Sequence, residues 1–255
     1  MPLPISRNRL GAAALLLVAA LATGCARSVP APRSTAAPLP FPAATAIQWQ
    51  RVAAEFPALT RQVYLQATEA LERVAAGREP GTWAISLDAD ETIIDNSLYA
   101  LERQREGRQS YTAESWDAWV RRREATPIAG AAAFLARVRE LGGIIAIVTN
   151  RLESQCADTA ANLDALALAY DVILCRPPGP DGSKEPRWEA LRAGTAVTDL
   201  GPVEILLWLG DNVGDFPGLD QSLRHAPAAA FGDFGKRFFV LPNAAYGSWE
   251  KIPVE

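Results

Sequence analysis

From Ile47 onward the chain alternates between two apolar rhythms. Val52, Phe56, Leu59, Val63, Ala67 and Leu71 recur every few residues, the spacing of one face of an amphipathic helix. Pro57 falls inside this stretch and either breaks it or opens a second helix, because proline is tolerated in a first turn. Arg78-Glu79-Pro80-Gly81 is a turn signal. Trp83-Ala84-Ile85-Ser86-Leu87, which follows, reads as a buried strand ending at Asp88. Further on, Ala131–Leu141 predicts a helix closed by Gly142-Gly143, and Ile144–Val148 a β-branched strand. Cys156–Ala169 then predicts a helix, Val172–Leu174 a short strand and Trp188–Ala193 a helix. Val203–Leu209 and Arg237–Leu241 are the last strands. Such alternation predicts an α/β fold, a parallel sheet with helices on both faces.

Between the first strand and the helix near Gly130 lies Asn96–Glu124, polar and aromatic, with Tyr99, Tyr111, Trp116 and Trp119. It is too long for a plain strand-to-helix loop and reads as a small helical cap over the active edge of the sheet. The expected division is therefore a globular domain over residues 46–255, with the cap drawn from about 46–78 and 96–125.

The first 24 residues break this pattern. Arg7 and Arg9 precede an apolar run from Leu10 to Leu21, shorter than the roughly 20 residues a membrane span needs. The reading is a secretory signal peptide. It ends in Leu21-Ala22-Thr23-Gly24-Cys25, which resembles a bacterial lipobox, so that Cys25 would become the lipidated first residue. Ala22 departs from that pattern, which favours Leu. Residues 25–45 are rich in Pro and Ala and read as a semi-rigid tether; 20 such residues at about 3.1 Å each reach roughly 60 Å. The expectation is a bacterial envelope protein anchored by lipid, favouring the outer membrane because Ala26 is not Asp.

Formal net charge is −4. Loss of the two leader arginines would make the remainder more acidic still. That argues against a nucleic acid polymer as partner, since phosphate backbones call for Lys and Arg, and leaves room for a small phosphorylated substrate in a local basic pocket. The remaining cysteines, Cys156 and Cys175, would be exported to an oxidising space; the sequence leaves both a disulfide and two free thiols open.

The chemistry concentrates at strand ends, where ligands bind in open parallel sheets. Asp88 and Asp90 follow the first strand; Asp211 and Asp215 follow Ile205–Leu209. Four carboxylates on one edge repel one another unless a hard cation sits among them, and oxygen-rich sites suit Mg²⁺. Asp88 is the candidate nucleophile, able to form an aspartyl-phosphate. Asp90 is the candidate acid and base. Thr149 and Asn150, with Arg151, follow the second strand and offer donors to a phosphate. Lys184 offers a positive charge, and Arg187 a second one. Arg121-Arg122-Arg123 reads as a solvated helix face rather than a draw for anionic substrates. Asp95-Asn96 reads as a helix cap or as a pair holding active-site water, with capping the preferred reading. The single histidine, His225, has no motif around it.

Strand-Asp-x-Asp-x-Thr, strand-Thr, Lys and strand-Gly-Asp-x-x-x-Asp, in that order, resemble the haloacid dehalogenase (HAD) superfamily. Asp88–Ser97, Gly210–Phe216, Phe234–Asn243 and Tyr246-Gly-Ser-Trp249 narrow the resemblance to the bacterial class C, four-aspartate acid phosphatases, which include the lipoprotein e group. Ala54–Leu59 resembles that family's N-terminal helix. The resemblance implies a HAD-like Rossmannoid three-layer αβα sheet. It implies Mg²⁺-dependent hydrolysis of phosphate monoesters, often nucleoside 5'-monophosphates, at acidic pH. Asp88, Asp90 (through its carbonyl), Asp211 and Asp215 would serve the metal, and Thr149 and Lys184 the phosphate. Trp116 and Tyr246 are the nearest matches to the family's aromatic substrate contacts. Pro177, Pro178 and Pro180 before Lys184 depart from the family's pattern. A phosphotransferase of the same fold and a non-catalytic, for example haem-binding, surface lipoprotein are the alternative functions. The expected partners are a small phosphorylated substrate, the membrane through Cys25 and, as a homodimer, a second copy of the chain.

Overall fold

The computed structural model describes residues 43–108, 111–179 and 181–253. The leader, Cys25 and nearly all of the tether lie outside the described residues. Among the described residues seven strands and seven α-helices follow in chain order: α1 (Thr45–Val52), α2 (Glu55–Ala75), β1 (Trp83–Leu87), β2 (Ile94–Asp95), α3 (Ser97–Arg105), α4 (Ala113–Arg122), β3 (Thr126–Pro127), α5 (Ala131–Glu140), β4 (Ile144–Leu152), α6 (Cys156–Ala165), β5 (Val172–Arg176), α7 (Glu185–Ala193), β6 (Glu204–Gly210) and β7 (Phe238–Val240).

Five strands form one parallel sheet in the order β5-β4-β1-β6-β7, and β2 pairs antiparallel with β3 in a separate ribbon. β1 is central and fully buried, which is why its sequence is apolar on both faces rather than alternating. One face is covered by a core that includes Phe56, Tyr64, Leu71, Phe134 and Leu135; the other by Trp188, Leu191, Trp208, Phe216 and Phe238. Gly143 has a packing reason beyond ending α5. A Cβ there would lie 2.1 Å from the Trp83 ring, so only glycine admits the buried indole.

Residues 52–71 are largely helical, but the expected face holds only in part: Phe56, Ala67 and Leu71 are buried while Val52 and Leu59 are exposed, and the stretch is interrupted. α1 ends at Val52 and α2 begins at Glu55, with Pro57 in its first turn, as the second of the two readings for Pro57 had it. α2 packs on α5 and on β6 and β7. It is therefore a layer of the sheet rather than part of a cap extending to residue 78. Only α1 joins the cap side, through its contacts with α3. Two further boundaries move. β4 runs on to Leu152, past the expected end at Val148. α6 stops at Ala165, and Ala167 takes a left-handed φ of 53° where the helix was expected to continue. α7 starts at Glu185 because Pro186 is accommodated in its first turn.

Cys156 opens α6 and Cys175 lies on β5; the two are joined in a disulfide with Cα atoms 6.0 Å apart. Arg121, Arg122 and Arg123 are each paired with acids, Asp117, Glu102 and Asp158 among them. Among the described residues no helix is long and apolar enough to cross a membrane.

Candidate active site

The register of the central strands assembles the site. Leu87 of β1 is level with Ile147 of β4 and Leu209 of β6, and the Asp88 N–H donates to the Leu209 carbonyl at 2.9 Å. The residues just beyond these positions therefore emerge side by side. Carboxylate oxygens of Asp88, Asp211 and Asp215 all lie within 4.8 Å of one another. Gly210 permits this closeness: a Cβ on it would lie 2.2 Å from the Asp215 Cβ, so any side chain would expel that aspartate.

Lys184 reaches this cluster from the start of α7. Its ammonium donates to Asp88 and lies 2.7 Å from Asp215. It is 3 % exposed and Asp88 8 % exposed. Burial pushes the Asp88 carboxyl up, to about 7, against the pull of Lys184 and with help from Asp215 and Asp90. Burial, then Asp215 and Asp88, hold Asp211 well above the ordinary carboxylate range. Burial alone would lower Lys184, but Asp215 and Asp88 reverse that and leave it above its usual value. Three carboxylates and one ammonium leave two negative charges, the charge of one divalent cation. An all-oxygen donor set of this size fits a hard cation such as Mg²⁺.

Asp90 is held apart from the cluster. The Arg151 guanidinium forks its carboxylate at 2.7–3.1 Å, and the Asn96 amide donates to it at 2.8 Å. The same Arg151 also donates to Thr159 and Asn96 and lies over the Trp116 ring. The phosphate-facing donors are oriented by their acceptor sides. Thr149 accepts from the Arg151 N–H at 3.2 Å, leaving its hydroxyl hydrogen to donate. Asn150 accepts from Arg187 at 2.7 Å through Oδ1, leaving its amide N–H groups free for a ligand. Arg187 also donates to the carbonyls of Thr149, Leu174 and Ser183, tying β4 and β5 to the Lys184 loop. Lys184 reaches the cluster with Pro177 and Pro178 before it; Pro180 lies outside the described residues.

Asp88, Asp90, Thr149, Asn150, Arg151, Lys184, Asp211 and Asp215 line one cavity of about 1230 Å³, together with Trp116 and Tyr246. Arg187 supports that wall through Asn150 and the Thr149 carbonyl without lining it. Sequence reasoning missed Glu91, 1 % exposed and on the same cavity wall. Burial, then Asp90 and Asp211, push its carboxyl well up. Of the two readings for Asp95-Asn96, capping fails for Asn96. That residue precedes α3 but does not cap it; its side chain joins Asp90, Glu91, Arg151 and Trp119. Asp95 makes the cap-like bond instead, accepting from the Ser97 N–H at 2.7 Å. Both Glu91 and Asn96 lie inside the Asp88–Ser97 motif, but nothing in their spacing marks them out there; burial and side-chain bonding do. His225, in the short turn Gln221–His225, stands outside this cavity.

The structure is similar to that of the class C acid phosphatase from Bacillus anthracis, at a TM-score of 0.70 and 30% identity over 80% of this chain and 85% of that one. A second structure of that enzyme, with tungstate bound, matches at the same values. The family model described as HAD superfamily, subfamily IIIB (acid phosphatase) matches residues 26–249. With an α/β sheet of the same architecture and the aspartate cluster at its edge, the chain belongs to the HAD subfamily IIIB acid phosphatases and is a phosphomonoester hydrolase.

Proposed function

We propose that the protein is a Mg²⁺-dependent acid phosphatase that works through an aspartyl-phosphate on Asp88, with nucleoside 5'-monophosphates as the favoured substrates. The observation that carries the mechanism is the convergence of Asp88, Asp211 and Asp215 within 4.8 Å beside Lys184, with Asp90 held separately by Arg151 and Asn96. An Asp88 oxygen attacks phosphorus as the ester P–O bond breaks, and Asp90 hands a proton to the departing oxygen. Asp90 then takes a proton from the water that attacks the phosphorylated Asp88, releasing phosphate and restoring the carboxylate. Thr149, Asn150 and Lys184 hold the phosphoryl oxygens. Asp88, Asp211 and Asp215 would hold the cation by carboxylate and Asp90 by its carbonyl. Such an ion supplies charge neutralisation between phosphate and nucleophile. Tungstate bound to the Bacillus anthracis relative is a tetrahedral oxyanion of phosphate-like shape, in keeping with an oxyanion pocket here.

Trp116 and Tyr246 on the cavity wall support a substrate with a flat ring, because aromatic faces pair with one another. Transfer to an acceptor alcohol would use the same intermediate. The test is phosphate release from p-nitrophenyl phosphate and a nucleoside-monophosphate panel at acidic pH, with Mg²⁺ or EDTA, beside Asp88→Asn. Metal-dependent turnover lost in the variant is expected. Turnover that persists in Asp88→Asn, or in EDTA, sinks the mechanism. An alkyl phosphate product in excess alcohol would mark a transferase.

The site of action we propose is the bacterial envelope, with lipid on Cys25, on the strength of Leu21-Ala22-Thr23-Gly24-Cys25. Fatty-acid labelling lost in Cys25→Ser tests it.

A further inference from the structure

The two aromatic walls of the cavity are fixed by different means. Trp116 is packed: Tyr99 meets it edge-on at 5.2 Å, Tyr111 at 6.2 Å, and the Arg151 guanidinium lies over its face. Tyr246 stands in an irregular segment after β7, 36 % exposed, and makes no ring–ring contact among the described residues. Its hydroxyl donates to Glu91 Oε2. Glu91 is a rigid anchor for that bond. It is buried, its N–H donates to the Ile94 carbonyl at 2.8 Å, and its Oε1 accepts from the Asn96 N–H at 2.8 Å. Its backbone takes a left-handed φ of 52°, a conformation unfavourable for a residue with a Cβ and maintained only where the surroundings enforce it.

Resting on the reading of Tyr246 as a substrate wall, we infer that Glu91 is a positioning residue for specificity: it holds the Tyr246 ring at the angle that accepts a flat, ring-bearing phosphate ester. An aromatic ring fixed in advance does not lose its freedom at the moment of binding, so the tether favours substrates that stack on it over those that do not. An alkyl phosphate, with nothing to stack, draws little from the arrangement. Glu91 thus separates ring-bearing esters from small aliphatic ones without touching the phosphate.

The test is the selectivity ratio, kcat/KM for a nucleoside 5'-monophosphate divided by kcat/KM for glycerol phosphate, measured on the Mg²⁺-loaded enzyme. Tyr246→Ala reports on the wall itself. Tyr246→Phe removes the hydroxyl while keeping the ring, and Glu91→Ala removes the acceptor. Both are expected to lower the ratio by roughly five- to tenfold, the scale of one hydrogen bond. The double variant should lower it no further, because both changes delete one interaction. Glu91→Gln can keep its oxygen on the Asn96 N–H and donate its amide N–H to the Tyr246 hydroxyl oxygen, so it should retain most of the ratio. If Tyr246→Ala lowers the ratio but Tyr246→Phe leaves it unmoved, the Glu91 tether is overturned and the aromatic wall stands. If Tyr246→Ala leaves the ratio unmoved, wall and tether both fall. Tyr246→Phe keeps the inference testable should Glu91→Ala not fold.

Discussion

The Lys184 ammonium lies 2.7 Å from a carboxylate oxygen of Asp215 while it also donates to Asp88. One buried cation thus links the proposed nucleophile to the far side of the metal cluster. Lys184→Met removes it and strands two buried carboxylates. Turnover should fall at least about 100-fold, as for loss of a preorganised charge donor. In EDTA the protein should lose about 3–5 kcal/mol of stability, and Mg²⁺ should restore part of it. Steady-state kinetics and denaturant titrations with and without metal check both. An unchanged stability in EDTA would show that the ammonium is not compensating those acids.

The pH dependence of metal stabilisation has a fixed sign. The carboxyls of Asp88 and Asp211 are both raised in the fold, Asp88 to about 7. Between the ordinary carboxylate range and that value the native state binds protons that the unfolded chain has released. Their contribution therefore favours the metal-free fold at low pH and is lost as pH rises toward 7. A divalent cation relieves the charged form. The gap in Tm between Mg²⁺ and EDTA samples should widen from about pH 5 to about pH 7 and widen less in Asp88→Asn. Differential scanning calorimetry across that range is the measurement, and a gap constant with pH contradicts it.

Arg187 joins the carbonyls of Thr149, Leu174 and Ser183 to the Asn150 amide. Arg187→Met should raise KM about tenfold or more, because the phosphate donors of β4 lose their orientation, and should cost about 2–3 kcal/mol of stability. Arg187→Lys cannot reproduce the fork and should recover little. Kinetics that are normal in a folded Arg187→Met protein would make the residue a structural tie only.

Gly210→Ala should act on the metal rather than on the phosphate, since a Cβ there displaces Asp215. The Mg²⁺ concentration for half-maximal activity should rise at least about tenfold, on the scale seen for lost metal-site support. Activity against metal concentration decides this, and an unshifted curve means that Asp215 does not serve the cation.

The Cys156–Cys175 bond closes a loop of sequence separation 19. Replacing both cysteines by Ala should cost about 3 kcal/mol, read as a lower denaturant midpoint with a slope equal to or steeper than the parent's, because the uncrosslinked denatured chain exposes more surface. Reductant should produce the same shift in the parent protein and none in the variant.

The strand ends were legible in sequence because buried strands are apolar runs and aspartates that interrupt them stand out. Asp88, Asp90, Asp211 and Asp215 are placed by that rule, and Lys184 by order in the chain. The helix period of residues 55–75 predicts a helix but not which surface it covers, so α2 was assigned to the cap although it packs on α5, β6 and β7. Glu91, Asn96 and Arg151 were obscure or underweighted for a related reason. Their roles consist of mutual side-chain bonds, as between Arg151 and Asp90 61 residues apart, and no local pattern carries such a pairing.

Lys184 and Asp88 are separated by 96 residues along the chain, and the Asp211 carboxylate is steadied by Asn243. No single segment of the polypeptide holds a working fragment of the centre. During folding these groups meet only after the slow, entropically costly closure of long loops. Helix content can return while the centre is still in pieces. Recovered turnover is therefore a stricter criterion of correct folding for this protein than a recovered circular dichroism signal.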